Sequence, residues 1–228
     1  MRDGCDRITN EKLMLLCMYA VNRSCGGLVD ISIKYFGNDR LLSLITTSCI
    51  GIKRLCLVSC NNVSDEGLCE TAAKLGLLEQ LELSHCQFSG KTLKYVGSHC
   101  PHLISLKLNS QCFPSYPLVE DDEEELAIAK TMPELRHLQL FRNRLTNVGL
   151  ELILNGCGHL EFLDLCQCYS VNLTGNLGER CAEKIKDLRR PSDPTDDYEF
   201  NAYIMEQEMD ESYLNSALDI ETFDTDYD

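Results

Sequence analysis

The chain has 228 residues, 44% of them hydrophobic, and 36 acids against 21 bases give it a formal charge of −15. Residues 191–228 hold 13 of the acids and no Lys or Arg, so residues 1–190 are nearly neutral at 23 acids to 21 bases and lack the basic footprint that a phosphate backbone requires. The length suits one domain with a sizeable core, and no apolar run reaches the roughly 20 residues of a membrane-spanning helix, so neither nucleic acid nor membrane is an expected partner.

Residues 13–21, "LMLLCMYAV", could imitate the apolar centre of a secretory signal. In the twelve residues before it, however, Asp3, Asp6 and Glu11 balance Arg2, Arg7 and Lys12, and a signal needs a net positive start. The segment predicts a core-facing first helix within an N-terminal capping region, residues 1–27.

From residue 28 the chain repeats itself. A weak copy, Leu28/Ile31/Ile33, precedes five copies of Leu-x-x-Leu-x-Leu: Ile52/Leu55/Leu57, Leu78/Leu81/Leu83, Leu103/Leu106/Leu108, Leu135/Leu138/Leu140 and Leu160/Leu163/Leu165. The first members of the five are 26, 25, 32 and 25 residues apart, which is the period of a leucine-rich repeat. Alternation along a short strand sends the leucines to one side and the residues between them to the other. Each unit must then return to start the next strand. "SDEGLCETAAKL" reads as the returning helix, with Ser64 as N-cap, Asp65 and Glu66 at the positive end of the dipole, and Leu68, Ala72 and Leu75 at helical spacing. The expected fold class is α/β, a leucine-rich-repeat solenoid over residues 28–190 with parallel strands on the concave face and helices on the convex face.

The same register accounts for cysteine. Three residues after the patterns stand Cys60, Cys86, Gln111, Asn143 and Cys168, and three before them stand Cys49, Leu75, Cys100, Met132 and Cys157. The first set alternates with amides where a small polar group can satisfy loop backbone, and the second alternates with Leu and Met as a buried hydrophobe would. Metal ligands would not trade places with Gln. Cys166 and Cys168 form a Cys-x-Cys, but no Cys-x-x-Cys occurs, and alternation would send the pair with its strand. His99, Cys100 and His102 sit together, yet Cys157 and His159 repeat that register. Nucleophilic catalysis would need a base beside a thiol or hydroxyl, and no local arrangement singles one out. The chain is therefore not expected to be an enzyme, and no catalytic, metal or cofactor-binding residue and no cofactor is expected. Fourteen cysteines in so long a chain, following the repeat rather than a disulfide framework, point to a reducing compartment, cytoplasmic and/or nuclear. The triplets at Asn22, Asn62 and Asn172 are then chance matches to a glycosylation signal.

Two segments depart from the repeat. The long interval carries "CFPSYPLVEDDEEELAIAK", where Pro114 and Pro117 favour a loop and residues 121–125 are five consecutive acids. A solvated helix start whose acids suit the dipole is the expected reading, and a docking patch for a basic partner is the alternative. After Leu188 the repeat fades, and residues 191–228 are expected to be a disordered acidic tail, although Tyr198, Phe200, Tyr203, Ile204, Met205, Tyr213, Leu214 and Leu218 could serve a transient partner.

Binding in a solenoid falls on the concave face, whose candidates here are Arg54, Glu82, Lys107, His137, Gln139, Phe141, Phe162 and Asp164. Cys56, Val58, Gln80, Ser84, Ser105, Asn109 and Cys166 share that outward reading. Phe141 and Phe162 are expected as exposed aromatics on adjacent repeats, the usual form of a binding anchor, unless the tail or the 111–131 insertion covers them.

The stretches "AVNRSCGGLVDISIKYFGNDRLLSLI", "IKRLCLVSCNNVSDEGL" and "LLEQLELSHCQFS" resemble the plant F-box/leucine-rich-repeat proteins, over about residues 13–190, and the acidic, tyrosine-bearing tail looks like that family's C-terminus. The resemblance implies a role in ubiquitin-dependent protein catabolism. In that family an F-box docks on the adaptor subunit of an SCF ubiquitin ligase, and the repeats hold the protein to be ubiquitinated. The F-box is a helical module with a Leu-Pro start. Residues before Leu28 are too few to supply it and no Leu-Pro pair occurs, so no residue here is assigned to the adaptor. The expected partner is a protein target on the concave face. A stand-alone or decoy module without the F-box, or a small-ligand co-receptor, are the alternatives.

Overall fold

The structure, a computed structural model, describes residues 9–110 and 122–198. The chain divides into two compact units, residues 1–193 and 194–228. Of the second only residues 194–198 are described, among them a turn in which Tyr198 N donates to the Thr195 carbonyl at 3.1 Å. Of the tail expected over residues 191–228, the part from residue 199 on lies outside the described residues, and so do residues 111–121 of the insertion, including Pro114, Pro117 and Asp121.

In the first unit helices and strands alternate: α1 (Asn10–Arg23), β1 (Asp30–Lys34), α2 (Asp39–Ser48), β2 (Arg54–Val58), α3 (Asp65–Ala72), β3 (Gln80–Ser84), α4 (Gly90–His99), β4 (Ser105–Lys107), α5 (Glu123–Thr131), β5 (His137–Gln139), α6 (Asn147–Gly156), β6 (Phe162–Asp164), α7 (Gly175–Lys184) and β7 (Asp187–Arg189). The strands form one parallel sheet in sequence order, β1 to β7. Register follows the repeat, pairing Ile31 with Leu55, Leu55 with Leu81, Leu81 with Leu106, Leu106 with Leu138, Leu138 with Leu163 and Leu163 with Leu188. This is the α/β leucine-rich-repeat solenoid that the spacing predicts.

One apolar cluster fills the space between sheet and helices, from Val21 to Ile185. All three leucine positions of the five regular patterns are buried in it, and so are Cys49, Leu75, Cys100, Met132 and Cys157. Four of these last five are helix C-caps, at the ends of α2, α4, α5 and α6, where a compact apolar side chain lets the chain bend from helix back toward strand. The first helix is amphipathic with its core side at Val21, Cys17 and Met18, while Leu15, Leu16 and Tyr19 face solvent. The seventh strand escapes the leucine pattern because Arg190 replaces its last member. Ile185 and Leu188 keep the first two positions at the regular interval of 25 residues from Leu160 and Leu163.

The helices begin where side-chain oxygens accept early backbone N–H groups: Thr9, Asn38, Ser64, Ser89 and Thr146 do so. A second ladder ties the starts of α3, α4, α6 and α7 to the repeat before each. Ser64 donates through N and Oγ to the two Asp39 oxygens, both at 2.8 Å. Thr146 does the same to Asp122 at 2.9 and 2.7 Å, Ser89 N donates to Asp65 at 3.2 Å, and Asn172 N donates to Asn147 Oδ1 at 2.8 Å. The carboxylates come so close that a Cβ on Gly67 would stand 2.0 Å from Asp39 Oδ1, and one on Gly149 2.2 Å from Asp122 Oδ1.

This ladder adds a second role to the expected one of the acidic run. Glu123, Glu124 and Glu125 lie in the first turn of α5, where the dipole favours them, and Glu123 is exposed while Asp122 and Glu124 are half-buried. Asp122 is occupied by Thr146, Glu124 accepts from Asn143 Nδ2 at 3.0 Å, and Glu125 is buried. Asp122 and Glu124 thus hold one repeat on the next.

Candidate functional site

The side of the sheet away from the helices is built of rows, each contributed by one repeat position. The row at the strand starts is Asp30, Arg54, Gln80, Ser105, His137, Phe162 and Asp187, set side by side by the register. Arg54, Gln80, His137 and Asp187 are exposed, and Ser105 and Phe162 are half-buried. Two residues along runs the row Ser32, Cys56, Glu82, Lys107, Gln139, Asp164 and Arg189. Lys107, Gln139 and Arg189 are half-buried in it, whereas Cys56, Glu82 and Asp164 are buried.

The next row overturns an expectation. Val58, Ser84, Asn109, Phe141 and Cys166, all read as outward by alternation, are all buried, and Phe141 is only 4% exposed. The cause is backbone geometry. In four of these five repeats the following residue (Ser59, His85, Arg142 or Gln167) adopts positive φ, turning the chain away from the sheet. The backbone ladder meanwhile continues past the strand: Ser59 N donates to the Ser84 carbonyl, His85 N to that of Asn109, Ser110 N to that of Phe141 and Arg142 N to that of Cys166, all at 2.7–3.0 Å. Side chains at this bend are tucked in beside the loops. The Arg142 guanidinium lies 5.7 Å from the centre of the Phe141 ring, so Phe141 is a packing residue and not a surface anchor.

Glu82 and Asp164 also differ from the open positions expected, because neighbouring strands about 4.8 Å apart bring opposite charges together. Lys107 Nζ lies 3.6 Å from Glu82, and Arg189 Nη1 lies 3.6 Å from Asp164. Glu82 further accepts from the Ser84 hydroxyl at 2.9 Å, and Asp164 from Cys166 N at 2.9 Å. Burial pushes the Cys56 thiol above its ordinary value, and burial followed by the Arg142 charge lowers His85.

Pairs of opposite charge also line the strand entrances: Lys53 with Glu79 at 2.7 Å, Arg54 with Asp30 at 3.2 Å, and Arg136 and Lys186 both with Glu161 at 2.9 Å. Lys186 and then Arg136 hold the Glu161 carboxyl below its usual range.

Around Phe162 these rows form a three-by-three block. His137 and Asp187 flank it in the register, Arg136, Glu161 and Lys186 lie to one side, and Gln139, Asp164 and Arg189 lie to the other. The His137 and Phe162 rings are tilted with centroids 6.1 Å apart. Of the residues singled out from sequence, this block unites His137, Gln139, Phe162 and Asp164. Arg54, Glu82 and Lys107 belong to earlier strands of the same face, and Phe141 leaves it. Arg136, Glu161, Lys186, Asp187 and Arg189 were not among them, although a recurrence of opposite charges every 25 residues (Arg136, Glu161, Lys186) could have marked three of them.

Among the described residues no three His, Cys, Asp or Glu stand together as a metal ion would need, and no helix is long and apolar enough to cross a membrane.

A family model described as a leucine rich repeat matches residues 132–154. The chain is 49% identical over 181 residues to putative F-box/LRR-repeat protein 23 of Arabidopsis thaliana, covering 79% of this chain and 40% of that protein. With F-box protein SKIP19 of the same plant it shares 43% identity over 216 residues, 95% of this chain and 68% of the other. With putative F-box/LRR-repeat protein 21, also from Arabidopsis thaliana, the identity is 43% over 208 residues, covering 84% and 67%. The chain thus spans 40–68% of the length of these relatives.

Proposed function

The chain belongs to the F-box/LRR-repeat family of plant proteins, and from that premise we propose that the outward face of its sheet holds a target protein as the recognition part of an SCF-type ubiquitin ligase receptor. The observation that carries this reading is the block around Phe162, where a half-buried aromatic beside His137 is ringed by paired charges. Binding energy concentrates in such anchors when the surrounding groups exclude water.

In this reading Phe162 and His137 are the anchor, with Gln139, Lys107 and Arg54 extending the contact along the face. Glu82 and Asp164 act indirectly, by holding Lys107 and Arg189 in place. Exposed ion pairs are worth little to folding, about 0–1 kcal/mol, so their recurrence at one edge suits partner choice better than stability. The chemistry is recognition, with the cytosol or nucleus as its setting and no catalytic residue assigned.

The test compares proteins recovered with the wild-type chain, with His137→Ser/Phe162→Ser, and with Lys94→Ser on the opposite, helical side. A target bound through the sheet face should lose about 30-fold in affinity, or about 2 kcal/mol, in the double variant and none in the helix variant. Equal recovery from all three would overturn the reading. Calorimetric titration of residues 1–228 with the SCF adaptor subunit then asks whether these residues dock on it themselves: binding would support the ligase-receptor reading, and no detectable binding would leave a solenoid that recognises partners but does not itself recruit the ligase.

A further inference from the structure

A line of polar side chains runs inward from the sheet face and stops at one amide. Lys107 Nζ lies 3.6 Å from Glu82 Oε2. The Ser84 hydroxyl donates to Glu82 Oε1 at 2.9 Å, and Asn109 Nδ2 donates to Ser84 Oγ at 2.9 Å. The orientation of the amide is forced. Ser84 has one proton and gives it to the carboxylate, so its oxygen can only accept, and Asn109 must present its NH2 group there. The other end of the amide, Oδ1, is buried and has no hydrogen-bond partner among the described residues. The residue as a whole is 4% exposed, and the large majority of buried side-chain polar atoms in native proteins have a partner, from protein or from ordered water.

Asn109 lines a cavity of about 20 Å³ together with Ser110, Glu124 and the apolar side chains of Leu83, Phe88 and Leu93. Beyond the cavity the polar line resumes, as Glu124 Oε2 accepts from Asn143 Nδ2 at 3.0 Å and Asn143 Oδ1 accepts from Leu145 N at 2.7 Å. We infer that one internal water occupies this cavity, donating one hydrogen to Asn109 Oδ1 and the other to the Glu124 carboxylate and accepting from the Ser110 hydroxyl. The size fits, because one water needs roughly 10–15 Å³ on the same measure and two to four polar partners. A cation does not fit, because Ca²⁺ takes about 6–8 oxygens and the leucine and phenylalanine walls supply none. With the water in place a single network runs from Lys107 on the sheet face to the first turn of α5, so the site also fixes the cation that the face presents.

A crystal structure of the whole chain at a resolution that shows ordered water tests this. The expected result is one peak about 2.7–3.2 Å from both Asn109 Oδ1 and a Glu124 oxygen, lost in Asn109→Leu. An empty cavity, or a protein atom bonded to Oδ1, would overturn the inference. Should the leucine variant fail to fold, water-to-protein cross-relaxation in NMR on the wild type decides the matter. A cross-peak from water to the Asn109 side-chain amide protons is expected, and its absence counts against the site.

Discussion

At the scale of the residue, cysteine is used here as a small hydrophobe with a weak donor. Cys60, Cys86 and Cys168 each donate to a carbonyl of the preceding repeat, those of Ile33, Leu57 and Leu140, at 3.4, 3.6 and 2.7 Å. Cys100 and Cys157 do the same across the helix ends, to Ala72 and Met132. Burial pushes Cys86, Cys100 and Cys157 up from 9.0 to about 11 and raises Cys168 further. A raised acid binds its proton more tightly folded than unfolded, so the stabilisation is whole below about pH 9 and is lost as pH climbs through 9 toward 11. Each tenfold change in proton affinity is worth about 1.4 kcal/mol. Urea midpoints should therefore fall steeply over that window. In mass-spectrometric mapping at pH 8, the exposed Cys25 should be alkylated well before Cys157 and Cys168. Early labelling of Cys168 in the folded chain would contradict this account. These roles were legible in the sequence because cysteine shares its positions with Leu and Met or with Asn. The burial of Phe141 was not, because its position holds Val, Ser, Asn, Phe and Cys in turn and the left-handed bend that buries it leaves no mark in hydrophobic alternation.

At the scale of the element, the starts of the helices carry the joints between repeats. Glycine inside a helix normally costs about 1 kcal/mol relative to alanine, and Gly67→Ala or Gly149→Ala would be expected to stabilise an isolated helix. Here the added methyl would overlap the Asp39 or Asp122 carboxylate that receives the next helix start. Both substitutions should destabilise, by about 1–3 kcal/mol. Gly76→Ala, which meets nothing within 4 Å, should stay within about 0.5 kcal/mol of wild type. Asp122→Ala should resemble Gly149→Ala, since it leaves the Thr146 N–H and hydroxyl without their acceptor, and thermal or urea melts of the four variants would show it. A Gly149→Ala variant as stable as wild type would mean that the joint gives way without cost. The Ser64 cap was readable from "SDEG", but its tie to Asp39 was not, because it joins residues 25 apart whose pairing exists only once the repeats are stacked.

At the scale of the whole first unit, every strand pairs only with the strands of adjacent repeats, and the core is one cluster shared along the stack. Stability in such an array is close to a sum of repeat terms and neighbour interfaces, so position along the stack matters as much as side-chain identity. Leu106 in β4 is wholly buried between Leu81 and Leu138, whereas Leu188 in β7 pairs only with Leu163 and is half-buried. Leu106→Ala therefore removes packing from two interfaces and should cost about 2–5 kcal/mol, while Leu188→Ala loosens one end and should cost well under half as much. Amide exchange separates the two outcomes by place as well as size. The central variant should lose protection in β3, β4 and β5 together, and the terminal one only in β6 and β7. Equal losses, or loss of protection throughout the sheet from Leu188→Ala, would mean that the unit unfolds as a single block, and the Phe162 face, carried on β5 to β7, would then inherit the stability of the whole stack instead of that of its own end.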